Sequence, residues 1–209
     1  MDRNAKAFTL IELMVGLMVT SIILSAVATL AFAMSRGSAV GSDYARTQAQ
    51  IRRATVYVSD LVSRCSLICA APGNDLAIWR NDDNNDGRIN LNELVYLERG
   101  PNRGYLRLCT FASAANPPID LSVLGVSTTK SQYLSVYDGS STSLLLPKCN
   151  DAQFLFLDAA PPATKLLGIT FGFQENGVFR PYNMVVATRC RAAHLLNAAG
   201  SELVARDDD

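Results

Sequence analysis

Lys6-Ala7-Phe8-Thr9-Leu10-Ile11-Glu12-Leu13-Met14-Val15 is the stretch on which the reading of this chain turns. It opens an apolar run from Phe8 to Met34 in which Glu12 is the single charged residue. A helix of about 20 apolar residues spans a bilayer, so the run has membrane length. Leu, Ile, Val, Ala and Met dominate it and no proline interrupts it, which predicts a helix apolar on all sides over residues 8–34. A carboxylate in such a segment is costly and by default marks function.

Toward the C-terminus, Ser35-Arg36-Gly37-Ser38-Ala39-Val40-Gly41-Ser42 follows. Each glycine weakens a helix by about 1 kcal/mol relative to alanine, which suggests a flexible joint rather than a break. Helical spacing resumes after Asp43. Tyr44, Ile51, Ala54, Val58, Leu61, Val62 and Cys65 form one stripe, with Thr47 a mildly polar member. Arg46, Gln50, Arg53, Asp60 and Arg64 fill another face. Residues 35–69 therefore read as an amphipathic continuation whose stripe faces a core. A helix from Phe8 to about Leu67 would be roughly 90 Å long. Ala71-Pro72-Gly73-Asn74 ends it.

Beyond this the pattern turns to strands. Leu76–Trp79, Leu94–Leu97, Tyr105–Phe111, Leu144–Leu146, Phe154–Leu157, Leu166–Phe173 and Val178–Ala187 are β-prone runs. Asn176-Gly177, between the last two, is a hairpin signal. Residues 112–142 read as loops around one or two short elements. Residues 70–200 are expected to form a β-rich head, and 201–209 an acidic, solvated tail ending Arg206-Asp207-Asp208-Asp209. The fold class is α+β: a long N-terminal helix packed on a C-terminal antiparallel β-sheet head.

The segment Ala7-Phe8-Thr9-Leu10-Ile11-Glu12-Leu13 resembles the processing site of type IV pilins and of the pseudopilins of type II secretion. In that family a membrane peptidase removes a short basic leader and methylates the new N-terminal amine. The resemblance makes Met1–Ala7 the leader, with Arg3 and Lys6 its basic residues, and Ala7–Phe8 the scissile bond. Ala7 departs from the glycine usual before the cut, though both residues are small. Glu12 becomes the fifth residue of the mature chain, where the family has its characteristic glutamate. There it can pair with the N-terminal ammonium of a neighbouring subunit, so neither charge is left alone in hydrocarbon. The resemblance implies a pilin-like fold and an inner-membrane, single-pass chain with a cytoplasmic N-terminus. It places the head in the periplasm or outside the cell. Prepilin peptidase and other pilin or pseudopilin subunits are the implied partners. In its size, its long helix and its β-rich head the chain is similar to larger minor subunits, such as the J-type pseudopilin and the W-type minor pilin. An ordinary signal peptide cleaved after Ala31-Phe32-Ala33 is the competing reading. A simple anchor is another, but neither accounts for Glu12.

Asp82-Asp83-Asn84-Asn85-Asp86-Gly87-Arg88-Ile89-Asn90-Leu91-Asn92-Glu93 matches the EF-hand loop pattern at its defining positions. The expected ligands for Ca2+ are the side chains of Asp82, Asn84 and Asp86 and the backbone carbonyl of Arg88. Asn90 would act directly or through water, and Glu93 through two oxygens. Gly87 permits the sharp turn. The flanks Ala77-Ile78-Trp79 and Leu94-Val95-Tyr96-Leu97 read as strands, so the loop is expected to close a β-hairpin and its role to be structural. A polar turn with no metal is the alternative, since Asn and Asp favour turns.

Composition excludes several classes. Nineteen basic and nineteen acidic residues balance, and no basic, aromatic stripe suggests nucleic acid. One histidine, no Gly-x-Ser-x-Gly and no glycine-rich phosphate loop leave no catalytic constellation, so neither an enzyme nor a small-molecule substrate is indicated. Five cysteines, Cys65, Cys69, Cys109, Cys149 and Cys190, leave at least one without an intrachain partner. Cys65 and Cys69 share a helix face in this reading. Cys149 with Cys190, and one of the helix cysteines with Cys109, are the candidate pairs, and buried free thiols are an equal alternative. A filament subunit is thus the leading expectation, and a singly anchored or secreted calcium-binding surface protein the second.

Overall fold

The computed structural model describes residues 9–100, 102–175, 178–189, 195–197 and 200–204. The chain forms two compact units, Met1–Gln48 and Ala49–Asp209. Helix α1, Leu10–Arg64, runs through 55 residues. In the first unit its large apolar side chains are exposed on every side, from Leu10 at 77% to Met34 at 68%. The helix continues through Gly37 and Gly41, where an added Cβ would meet nothing within 4 Å. Propensity therefore lowered its local stability without breaking it.

The second unit is built on a five-stranded antiparallel sheet, β1 (Leu67–Ala70), β2 (Asp75–Trp79), β3 (Leu94–Arg99), β4 (Leu106–Thr110) and β5 (Ser141–Leu146), in that order. A second antiparallel sheet contains β6 (Asn150–Phe156), β7 (Leu166–Glu175) and β8 (Val178–Ala187). The α+β class holds, with the head divided between these two sheets. The expected Asn176-Gly177 turn lies outside the described residues; β7 and β8 pair antiparallel from Leu166↔Ala187 to Glu175↔Val178.

One core gathers Ile51, Ala54, Val58, Val62 and Cys65 at the end of α1 against both sheets. The larger sheet contributes Ile68, Leu76, Ile78, Val95, Leu97, Leu106 and Leu108, and the smaller one Leu167, Ile169, Phe171, Phe173 and Val186. Phe171 stacks on Tyr182 with centroids 5.9 Å apart. On the outer side of this sheet Phe179 lies over Gly172, where a Cβ would approach the ring to 2.2 Å, so glycine is required there.

The alternate residues of the larger sheet, Leu67, Cys69, Ala77, Trp79, Leu94, Tyr96 and Cys109, enter a second core. Ile89, Leu91, Phe111, Ile119 and Leu124 complete it. Two short helices, α2 (Leu121–Leu124) and α3 (Thr129–Val136), form within the 112–142 region. Burial on both faces explains why these strands read as apolar runs rather than alternating ones. On this second face the register Asp75↔Glu98↔Arg107 aligns three charged residues across β2, β3 and β4. Lys130 of α3 pairs with Asp75 and Glu98, and Arg107 pairs with Glu98.

Two boundaries differ from the sequence reading. The helix stops at Arg64, and Leu67–Ala70, expected to be helical or just beyond the helix, form β1. The cause is two-sided burial: Ile68 belongs to one core and Leu67 and Cys69 to the other, a period of two that a helix cannot supply. The second concerns 201–204, expected in the tail. Leu203 bridges to Leu196, and Val204 N donates to Leu195 O at 2.9 Å.

The cysteine expectations need correction. Cys69 lies on β1 rather than on a helix, so it shares no helix face with Cys65. Cys69 and Cys109 lie on the same sheet face, but β2 and β3 separate their strands. Three strand spacings put them about 14 Å apart, beyond disulfide reach. Cys69, Cys109 and Cys149 are buried free thiols. Cys190 lies outside the described residues. Burial pushes the Cys109 and Cys149 thiols each up to about 11, and Cys69 higher still.

Candidate functional site

Two places carry the residues singled out by the sequence. At the start of α1, Thr9 and Glu12 close on each other. The Thr9 backbone N–H donates to Glu12 Oε2 at 3.2 Å, and the Thr9 hydroxyl donates to the same oxygen at 2.9 Å. Glu12 N–H returns a bond to Thr9 Oγ1 at 3.4 Å. This is the reciprocal capping arrangement of a Thr-x-x-Glu sequence, and it satisfies backbone donors of the first helical turn. The spacing was visible in the sequence and went unread there. Ala7 and Phe8 lie outside the described residues.

The acidic loop joins β2 to β3 and is built on its own short bonds. Asp82 accepts Asp86 N–H at 3.1 Å and Gly87 N–H at 2.9 Å, which folds the backbone around its carboxylate. Gly87 has φ +70°, a conformation that disfavours any side chain. Asp86 Oδ1 accepts Arg88 N–H at 2.8 Å, while Oδ2 accepts the amides of Asn84 at 2.8 Å and Asn90 at 2.9 Å. The Asn90 amide bond is the chief cause holding the Asp86 carboxyl below its usual range, opposed by partial burial and helped by Arg88 N–H.

Glu93 is 1% exposed and anchors the loop's base. Its Oε2 accepts the Trp79 indole N–H at 2.9 Å and Asn90 N–H at 3.2 Å. Its Oε1 accepts Asp83 N–H at 2.9 Å. Asn92 clamps the loop to the next segment, with Ser113 N–H donating to its Oδ1 at 2.7 Å and its own amide donating to Ser113 O at 2.8 Å. Ile119 N–H donates to Ile89 O at 2.7 Å. Trp79, Asn92 and Ser113 were not identified from sequence, because nothing in spacing links residues so far apart in the chain.

The structure thus brings Asp82, Asn84, Asp86 and Asn90 together. Among the described residues, no three His, Cys, Asp or Glu side chains converge as a metal-ligand group. The donor chemistry suits a hard cation in part. The Asn84 and Asn90 amides meet Asp86 through their NH2 ends, and rotation of each amide would turn a carbonyl oxygen toward the same place. Asp82, Asn84, Asp86, Arg88 and Asn90 are the residues that would hold calcium, with Glu93 at the base.

The prokaryotic N-terminal methylation motif matches residues 2–28. The chain therefore carries a type IV pilin-type prepilin motif, and that motif leads directly into α1. No curated protein and no solved structure matches the chain.

Proposed function

We propose that this chain is a minor pilin or pseudopilin subunit. Prepilin peptidase cleaves it between Ala7 and Phe8, and it is assembled into a type IV pilus or a type II secretion pseudopilus. The observation that carries this reading is the continuity of the methylation motif with a helix whose apolar side chains from Leu10 to Met34 are exposed. That surface needs hydrocarbon or neighbouring helices to cover it, and by length and composition this is one helix able to cross a membrane. Before assembly the helix anchors the chain in the inner membrane. In the filament, Glu12 exchanges its bond to Thr9 for the methylated amine of a neighbouring Phe8. The work of such a chain is structural rather than catalytic.

The acidic loop is assigned a structural calcium ion. Its support is the ligand pattern, the Gly87 turn and the gathering of Asp82, Asn84, Asp86 and Asn90.

The test is the N-terminal mass of the protein from its native membrane, with and without Glu12→Ala. A chain beginning at N-methylated Phe8, processed in both proteins but incorporated into filaments only with Glu12, is expected. A chain beginning at Met34 would overturn the reading in favour of a secreted domain. Unimpaired assembly of Glu12→Ala would remove the role of Glu12.

A further inference from the structure

Among the described residues, β8 pairs on one side alone, with β7, and stands at the end of the order β6-β7-β8. Thr188 N–H donates to Lys165 O at 2.9 Å, so residue 188 turns its backbone groups toward the β7 side. That direction alternates along an antiparallel strand. The N–H and C=O groups of Asn183, Val185 and Ala187 therefore point away from β7. All three residues are exposed, and among the described residues no loop segment bonds their backbone.

This edge is bounded at both ends. Pro181 has no N–H to offer on the outward side. Arg189 N–H is already spent on Ser63 O of α1 at 3.0 Å. Between them, Asn183-Met184-Val185-Val186-Ala187 carries no charge and its pairing with β7 has no bulge. Charges, prolines and bulges are the usual guards of a strand edge, and here Pro181 guards only the approach. An apolar face meets the edge at the same place. Leu155, Gly168 and Val185 lie abreast on the outer face, with Leu166 and Ala187 in the next row and Leu157 beside them. Val185 is 63% exposed, while its neighbour Val186 turns into the core.

We infer that a second copy of this chain pairs antiparallel with β8 about a two-fold axis through Val185, making one sheet continuous across both copies. In that register Val185 exchanges both backbone bonds with the partner's Val185, and Asn183 exchanges both with the partner's Ala187. Each of the three residues then uses its outward donor and its outward acceptor. Moving the axis by one residue would set Ala187 against Pro181, or Asn183 against Arg189, and leave a carbonyl unused. The segment thus complements itself, and being uncharged it meets its copy without repulsion. The axis stands normal to the sheet, so the apolar patches of the two copies join on one face. Five paired residues give about 17 Å of edge, a short contact whose formation depends on concentration.

The full chain in detergent micelles tests this. Hydrogen exchange at the Asn183, Val185 and Ala187 amides should slow about tenfold or more as protein concentration rises. Val185→Lys sets like charges face to face at an exposed position and should remove that concentration dependence. Oxidation reads the register. Hydrogen-bonded partners lie about 5.5 Å apart at Cα, within disulfide reach. Val185→Cys should therefore give a disulfide-linked dimer on a non-reducing gel above the wild-type background. Asn183→Cys, roughly 14 Å from its own copy in this register, should not. Edge amides that exchange freely at every concentration would overturn the inference and leave the edge to a strand of a different protein. Equal cross-linking by the two cysteine variants would overturn the two-fold through Val185. These readouts concern β8 alone, so either failure leaves the filament reading, which the N-terminal mass tests, untouched.

Discussion

The indole N–H of Trp79 donates to Oε2 of Glu93 across 2.9 Å inside the second core. Glu93 lies fourteen positions after Trp79 and is the last residue of the acidic loop that begins at Asp82. The bond therefore ties the last residue of β2 to the residue that precedes β3, and Arg80 N–H donating to Glu93 O at 2.9 Å repeats the link in the backbone. The loop's exposed carboxylates are carried on this buried closure.

Glu93→Ala should destabilise the head strongly. It leaves the Trp79, Asp83 and Asn90 donors without their acceptor, at about 1–3 kcal/mol for each that water cannot reach. Glu93→Gln keeps the shape and should cost less. Urea unfolding followed by the fluorescence of the single tryptophan reads both, and equal midpoints for Glu93→Ala and wild type would refute the anchoring role.

Calcium should raise the melting temperature of the wild-type protein, and Asp86→Ala should abolish that rise. A ligand that binds only the folded state at about 100 times its Kd contributes roughly 2.7 kcal/mol. Terbium luminescence excited through Trp79 offers a direct readout of occupancy. Identical melting curves in calcium and in chelator would leave the loop a hydrogen-bonded turn without a metal.

Lys130→Met should cost about 1–3 kcal/mol, because it takes from Asp75 its ion pair and leaves Glu98, whose side chain is 3% exposed, with Arg107 alone. Asp75→Asn should cost far less. Burial pushes the Asp75 carboxyl up, more than Lys130 draws it down. Glu98 is also opposed by burial, but its bonds to Lys130 and Arg107 outweigh that and hold it below the usual range. Thermal denaturation of the two variants should therefore rank them clearly, and the reverse order would contradict this account of the charge row.

Asp158 sets an acid limb of stability. Partial burial raises its carboxyl, but bonds from the Thr164 hydroxyl and the Lys165 and Leu166 amides outweigh this and bring it to about 2, against an ordinary 3.8. A carboxyl lowered in the folded state contributes stability that is full above its unfolded value. That contribution is lost as pH falls toward about 2. Asp158→Asn should flatten the decline in melting temperature across that window and leave the neutral-pH slope unchanged. An unaltered acid limb would show that Asp158 does not contribute to it. Solvent screening at this exposed residue keeps the effect small.

Much was legible in the residues themselves. The apolar run, the lone Glu12 and the helical stripe through Cys65 fixed α1, because exposed hydrocarbon and one-sided burial each leave a periodic or compositional trace. Gly87 and the alternating carboxylates located the acidic loop for the same reason, since a sharp turn with φ +70° demands glycine. Tertiary structure alone decided that Leu67–Ala70 leave the helix, that Cys69 and Cys109 lie too far apart to bridge, and that Glu93 reaches Trp79. It alone aligned Asp75, Glu98 and Arg107 beneath Lys130. These outcomes depend on which strands become neighbours and on burial of a sheet from both sides. Pairing between distant residues is governed by the register of the whole sheet, and no local pattern in the chain records it.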